Sequence, residues 1–163
     1  MSSKNRDYKT NVSRLLDSAK IPYTLHTYEV DEEDLSAIHL AETLGIDPKK
    51  IYKTIVLETS DRSFVVAMVA AGSEIDLKKV ASVHKVKSVK TLPMKDLLAT
   101  TGYIRGGCSP IGLKKPFPVY INSDVLLCDT ILISAGKRGV QVELLPKDLI
   151  SYVGATVADI SQD

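Results

Sequence analysis

The residues from Thr101 to Lys115, Thr-Gly-Tyr-Ile-Arg-Gly-Gly-Cys-Ser-Pro-Ile-Gly-Leu-Lys-Lys, are the part of this chain best suited to hold a ligand. Glycine admits φ > 0 and lets a ligand approach the main chain, at an entropic cost to folding. A turn needs one or two such residues, and this stretch has more. It also carries Arg105 and ends in Lys114 and Lys115. The combination predicts a backbone cradle for an anionic or planar group, flanked by cations. A second glycine-rich basic turn, Ser134-Ala-Gly-Lys-Arg-Gly139, repeats the theme.

Reactive side chains are sparse. Cys108 lies inside the glycine stretch, where a thiolate near Arg105 or Lys114 could react. With no partner histidine to activate it, a small packing residue is the preferred reading. Cys128 reads as packing at a strand end. Lys53 stands between Tyr52 and Thr54 in an apolar run, so it faces solvent with a snorkelling stem or the mouth of a cavity. Tyr28, at the end of a strand-like segment, either caps the core or offers its hydroxyl to a pocket. His26, His39 and His84 are scattered and suggest no metal site. Nucleotide-loop, dinucleotide, zincin and nucleophile-elbow motifs are absent.

The elements that would position these groups follow from periodicity. Val12, Leu15, Leu16 and Ala19 mark an amphipathic helix stopped before Pro22. Residues 23–28 alternate as a strand, and Ser36 to Leu44 is a helix with Gly45 at its end. Residues 51–57 and 64–70 predict an antiparallel hairpin turning at Asp61 and Arg62. The second run is apolar throughout, as in a strand covered on both faces. Further along, residues 76–83 predict a helix, 87–92 a strand and 93–99 a helix opened by proline. Residues 117–121, 130–134 and 140–144 predict strands, 146–152 a helix and 155–160 a last strand. The expected architecture is a single α+β domain over residues 1–163. Its mixed β-sheet is curved, barrel-like and flanked by helices.

Bulk properties agree with one ordinary domain of 163 residues, 44% hydrophobic and 25% charged. The net charge is only +1, yet Lys78, Lys79, Lys85, Lys87 and Lys90 crowd one span. A local basic face binds phosphates whatever the sum. Two cysteines without CxxC spacing predict no disulfide framework. No apolar run follows Met1 and no stretch reaches bilayer-spanning length, so the expectation is a cytoplasmic protein with no membrane partner.

Six segments, in this order, resemble the YbaK/EbsC family. They are Ile21-Pro-Tyr-Thr-Leu-His-Thr-Tyr28, Leu44-Gly-Ile-Asp-Pro48, Tyr52-Lys-Thr54, Asp76-Leu-Lys-Lys79, the glycine stretch with Lys114 and Lys115, and Ser134 to Gly139. The likeness runs from about Thr10 to Ile160, and is greatest to the YbaK-type Cys-tRNA(Pro) deacylases, whose fold is also the editing domain of bacterial prolyl-tRNA synthetases. It implies a trans-editing hydrolase that removes cysteine from misacylated tRNA(Pro), and from tRNA(Cys) as a further substrate. No metal or organic cofactor is implied. Misacylated tRNA and prolyl-tRNA synthetase are the implied partners.

By the same resemblance, Lys53 is the pocket lysine, Tyr28 the pocket tyrosine and Gly106 the first glycine of the aminoacyl site. Gly107, Ser109, Pro110 and Gly112 shape that loop. Gly136, Lys137, Arg138 and Gly139 form the second turn, where Ala135 replaces a glycine found in some members. Lys78, Lys79, Lys114 and Lys115, with Lys137 and Arg138, are expected along the tRNA backbone. The missing protein nucleophile fits a reaction in which the substrate's own thiol attacks its ester, held in place by the pocket. Backbone N–H groups near Gly106 and Gly107 are expected to meet the developing oxyanion. Two other readings stand beside this one: an Ala-tRNA(Pro) deacylase using water, and a module that binds aminoacyl-tRNA or another nucleotide-like ligand without hydrolysis.

Overall fold

The computed structural model describes residues 9–163. Helix α1 (Asn11–Ser18) starts where Thr10 and Ser13 cap each other's backbone N–H groups, and it buries Val12 and Leu16 completely. Strand β1 (Thr24–Thr27) follows. Helix α2 (Ala37–Leu44) runs between Ser36, whose hydroxyl accepts from the His39 N–H, and a left-handed Gly45. Next come β2 (Tyr52–Thr59) and β3 (Phe64–Ala70), paired antiparallel as expected. Helix α3 (Leu77–His84) is capped by the Asp76 carboxylate, which accepts from the N–H groups of Lys78 and Lys79. The remaining elements are β4 (Val89–Thr91), α4 (Leu97–Thr101), β5 (Val119–Asn122), β6 (Ile131–Ser134), β7 (Val140–Leu144), α5 (Pro146–Val153) and β8 (Thr156–Ala158).

Differences from the sequence reading lie at element ends. The segment opened by Pro93 is a 3-10 turn over Met94–Asp96, and only then becomes α4. The 3-10 turn Ser123–Leu127 was not expected from the sequence; it leaves Leu126 and Leu127 exposed, so no apolar period marks it.

The strands form two ladders. One is antiparallel, in the order β1-β7-β6, and the other is mixed, β4-β2-β3-β5-β8, with β3, β5 and β8 parallel. The expected curvature is present, but the sheet is split and no barrel closes. A parallel bridge from Ile51 to Leu132 joins the two ladders. The division falls on one edge of β2. Leu57–Thr59 pair with β4, and Ile51 meets β6. Between these contacts, no strand among the described residues pairs with residues 53–55 on that edge.

The main core fills the space between the ladders and under α1 and α5, with Tyr52, Met68, Ile121, Ile133 and Leu149. A second cluster, around Leu57, Val65 and Val80, covers the other face of the mixed sheet beneath α3. β3 is therefore covered on both faces, which explains its unbroken apolar sequence. The carboxyl end is fastened by Asn122, whose buried Oδ1 accepts from the N–H groups of Ile160 (2.9 Å) and Ser161 (3.2 Å). Replacing Asn122 with alanine strands two buried donors. Asn122→Ala is expected to lower the unfolding free energy by about 2 kcal/mol or more, measured by urea titration.

Candidate functional site

A cleft of about 400 Å³ opens at the split edge of β2. Tyr52 to Ile55 form one wall, and Ser134 and Gln141, from β6 and β7, form another. Helix α2 and the segment before it close one side, while Arg105, Gly106 and Cys108 close the other. The cleft thus lies where the sheet's own pairing runs out.

Two glycine loops make this geometry possible by approaching each other closely. A Cβ at Gly107 would stand 3.1 Å from the Lys137 Cα, and there is no flexible side chain there to give way. Gly106 has φ +83°, and a Cβ on it would meet the Arg138 Nε at 3.3 Å. Only glycine lets the first loop lie flat against the second. The second loop is also tied to β1, because the Tyr28 N–H donates to the Gly139 carbonyl (3.0 Å). Tyr28, Gly106 and Arg138 consequently border one opening.

Of the residues singled out from sequence, Tyr28, His39, Lys53, Arg105, Gly106, Cys108 and Arg138 line the cleft. Gly107 is buried behind it, and its N–H donates to the Ile104 carbonyl (2.9 Å). That bond removes the Gly107 N–H from the pair expected to meet an oxyanion, because a tight turn needs it. Ser109 is buried and its Oγ accepts from the Ile111 N–H (3.3 Å). Pro110, Gly112 and Lys115 border a separate groove near α5. Gly136 packs against Val12 and the Tyr103 ring. These residues support the loops rather than line the opening. Lys137 is exposed beside them.

The expected basic face does not converge on the cleft. Lys78, Lys79, Lys114 and Lys115 lie outside its lining. The Lys79 ammonium donates to the Asp159 carboxylate (3.1 Å) and the Ser161 carbonyl (2.8 Å), and Lys114 donates to the Ala99 carbonyl (3.3 Å). Lys53 donates to the Ser73 carbonyl (2.6 Å) with Glu74 at 3.9 Å, which leaves its stem on the cleft wall. Arg138 donates through Nε to the Arg105 carbonyl (2.8 Å) and pairs with Glu32 at 3.3 Å. The opening carries both signs of charge. Asp31 and Asp34 lie 3.4 and 3.8 Å from His39 on one rim, with Arg105 and Arg138 on the other.

Burial pushes the Cys108 thiol up to about 12, against a weaker hydrogen bond with Thr101 that favours the thiolate. A thiol held protonated at neutral pH is a poor nucleophile, so the packing reading of Cys108 fits its surroundings. Among the described residues, no group of three or more histidine, cysteine or acidic side chains could hold a metal ion. No helix among them is long and apolar enough to cross a membrane.

Two lining groups escaped the sequence reading. Thr54 Oγ1 and Gln141 Oε1 are buried without a hydrogen-bond partner among the described residues. For Gln141 the available signal was a polar residue inside the β-branched run Val140-Gln-Val142.

Residues 32–152 match the family profile described as the aminoacyl-tRNA editing domain. Over 161 residues, 99% of this chain and 98% of the other, the sequence is 44% identical to EbsC of Enterococcus faecalis, by its name a candidate Cys-tRNA(Pro)/Cys-tRNA(Cys) deacylase. Two solved structures share the fold. A candidate trans-editing enzyme for prolyl-tRNA synthetase superposes with a TM-score of 0.79 at 20% identity, covering 95% of this chain and 99% of that one. A hypothetical protein, APE2540, superposes at 0.85 with 18% identity, covering 94% and 100%.

The raised thiol of Cys108 gives a direct test by alkylation. In a Cys128→Ser variant its labelling by iodoacetamide is expected to be negligible at pH 8 while the protein is folded and rapid at the same pH once urea unfolds it. Mass spectrometry reads this out, and rapid labelling of the folded variant at pH 8 would contradict the assignment.

Proposed function

The chain belongs to the aminoacyl-tRNA editing domain family, and from that premise we propose that it hydrolyses cysteinyl-tRNA(Pro) in trans, with cysteinyl-tRNA(Cys) as a second substrate. The observation that carries the reading is a cleft of aminoacyl size without an activated protein nucleophile. An aminoacyl ester is already reactive, so positioning it lowers the barrier substantially. In the proposed step the substrate's thiol sulfur attacks the ester carbonyl carbon. A carbon–sulfur bond forms, the bond to the ribose oxygen breaks, and the thiol proton ends on the ribose hydroxyl. Water then opens the cyclic thioester to free cysteine.

Four lining residues, Gly106, Tyr28, Lys53 and Arg138, have roles in this scheme. Gly106, at the left-handed turn, presents main chain to the carbonyl oxygen. Tyr28 offers its ring and hydroxyl at the opening. Lys53 holds the terminal ribose or phosphate, since an ammonium with one donor on Ser73 keeps two more. Arg138 and Lys137 meet the phosphate backbone nearest the cleft, while Lys78, Lys79, Lys114 and Lys115 contribute only if the acceptor stem runs beyond it. Such contacts do not read sequence. The choice of tRNA therefore rests on prolyl-tRNA synthetase acting beside this protein in the cytoplasm.

The test compares Cys-, Ser- and Ala-tRNA(Pro). Cysteine is expected to be released rapidly and serine spared, because serine nearly matches cysteine in size but is the poorer nucleophile. Release of alanine above cysteine would favour the water-using deacylase, and release of none would overturn hydrolysis. Lys53→Ala is expected to reduce kcat/KM roughly 10- to 100-fold, mostly through KM, as loss of a charged hydrogen bond implies. A loss confined to kcat would overturn the anchoring role.

A further inference from the structure

The last residues of the chain run beside the turn that holds Lys53. β3 ends at Ala70, and residues 71–76 lead from it to the cap of α3. On one side of this turn the Ser73 carbonyl takes the Lys53 ammonium at 2.6 Å. On the other side lies the tail. Ile75 and Ser161 form an antiparallel bridge, in which the Gln162 N–H donates to the Glu74 carbonyl (3.0 Å) and the Asp76 N–H to the Ile160 carbonyl (2.8 Å). The Gln162 side chain adds a third bond, from Nε2 to the Ile75 carbonyl (3.2 Å). The tail is itself well held. Ile160 is fully buried and Ser161 nearly so, and Asn122 takes both of their N–H groups. The Lys79 ammonium donates to the Ser161 carbonyl (2.8 Å) from the α3 side.

The start of the turn is tied back beside β2, where the Ala71 N–H donates to the Ile51 carbonyl (2.8 Å), and its end is tied to the tail. The Glu74 carboxylate, 74% exposed and 3.9 Å from the Lys53 ammonium, is too open to fix it. The Ser73 carbonyl is the stronger hold. Peptide planes are rigid, so with the Glu74 carbonyl fixed on Gln162 the carbonyl one peptide earlier has little room to turn.

We propose that residues 160–162 are a positioning element for the reaction: by holding the Glu74 carbonyl they set the Ser73 carbonyl, and through it the place of the Lys53 ammonium beside the cleft. The inference rests on the anchoring role given to Lys53 above and adds to it residues that lie outside the cleft lining. Lysine has a long flexible stem and loses much rotamer freedom when its ammonium must meet one ribose or phosphate oxygen. A fixed carbonyl removes that freedom before the substrate arrives, so the cost falls on folding rather than on binding. The two N–H groups left on the ammonium are then aimed by the first. Gln162 and Lys79 are positioning residues in this scheme and touch no substrate.

The experiment crosses Gln162→Pro with Lys53→Ala in the intact chain. Proline at this position removes both the N–H and the side-chain amide, whereas Gln162→Ala removes the amide alone. With Cys-tRNA(Pro), Gln162→Pro is expected to lower kcat/KM about threefold or more through KM, and to change it less than about twofold once Lys53 is alanine, as coupled residues do. Equal losses in both backgrounds would mark a general structural effect and overturn the proposal. A second readout needs no turnover. Brief acetylation with an N-hydroxysuccinimide ester, followed by mass spectrometry, should label Lys53 about threefold faster in Gln162→Pro, as a locally opened turn implies, with the exposed Lys147 as internal reference. Unchanged labelling of Lys53 would also overturn the proposal. Gln162→Ala should move both readouts the same way by less, and it replaces the proline variant if that one melts below the assay temperature. If no aminoacyl ester is hydrolysed but Lys53 labelling responds to Gln162, the hydrolase reading fails and the tail's hold on Lys53 stands.

Discussion

One strand edge has to serve two partners, and the rest of the molecule is arranged around that constraint. β2 pairs with β3 along its whole length on one side, while its other edge is shared between β4 and the single bridge to β6. A continuous ladder there would leave a closed surface. Dividing it lets the two sheets diverge and leaves main chain of residues 53–55 beside a hollow. Backbone N–H and C=O groups at such a place need partners, and in an interior gap those come from side chains, water or a ligand. Lys53 and Thr54 stand on the unpaired part, so the site is a result of strand topology before it is one of side-chain choice.

The cleft needs its far wall held close, and that depends on two loops meeting main chain to main chain. Gly107 against Lys137 and Gly106 against Arg138 leave no room for a Cβ without displacement. Rigid backing of this kind suits a mechanism in which the protein positions reacting groups already present in the substrate. It also explains why so many conspicuous residues of the glycine stretch never reach the opening. Ser109, Pro110, Gly112 and Gly136 hold the loops in place from behind.

Local order was legible wherever a cap or a period governed it. Ser36 and Gly45 bracket α2, Asp76 opens α3, and the turn at Asp61 joins β2 to β3 as their residues suggested. The importance of Lys53, Tyr28 and the two glycine turns was also visible, in part through a family resemblance covering nearly the whole chain. Partnership was not legible. Nothing in the spacing of Lys79 announces Asp159, eighty residues away, or sets the Gly107 N–H on Ile104. The two ladders meet through the bridge between Ile51 and Leu132, a long-range contact without a local signature. Gln141 was missed because a glutamine in a strand looks like a solvent-facing residue until the strand's neighbours are known.

Tyr103 belongs to the first glycine stretch, yet its ring lies over Gly136 of the second, and its hydroxyl, bonded to the Ile111 carbonyl, stands 2.8 Å from where a Cβ on Gly112 would be. One aromatic side chain is thus the mould for both turns. Both glycines are left-handed, φ +77° at Gly112 and +97° at Gly136, so a larger residue at either is strained even before it meets the ring. A smaller ring would leave both turns without backing. A change at any one of Tyr103, Gly112 and Gly136 therefore disturbs both loops at once.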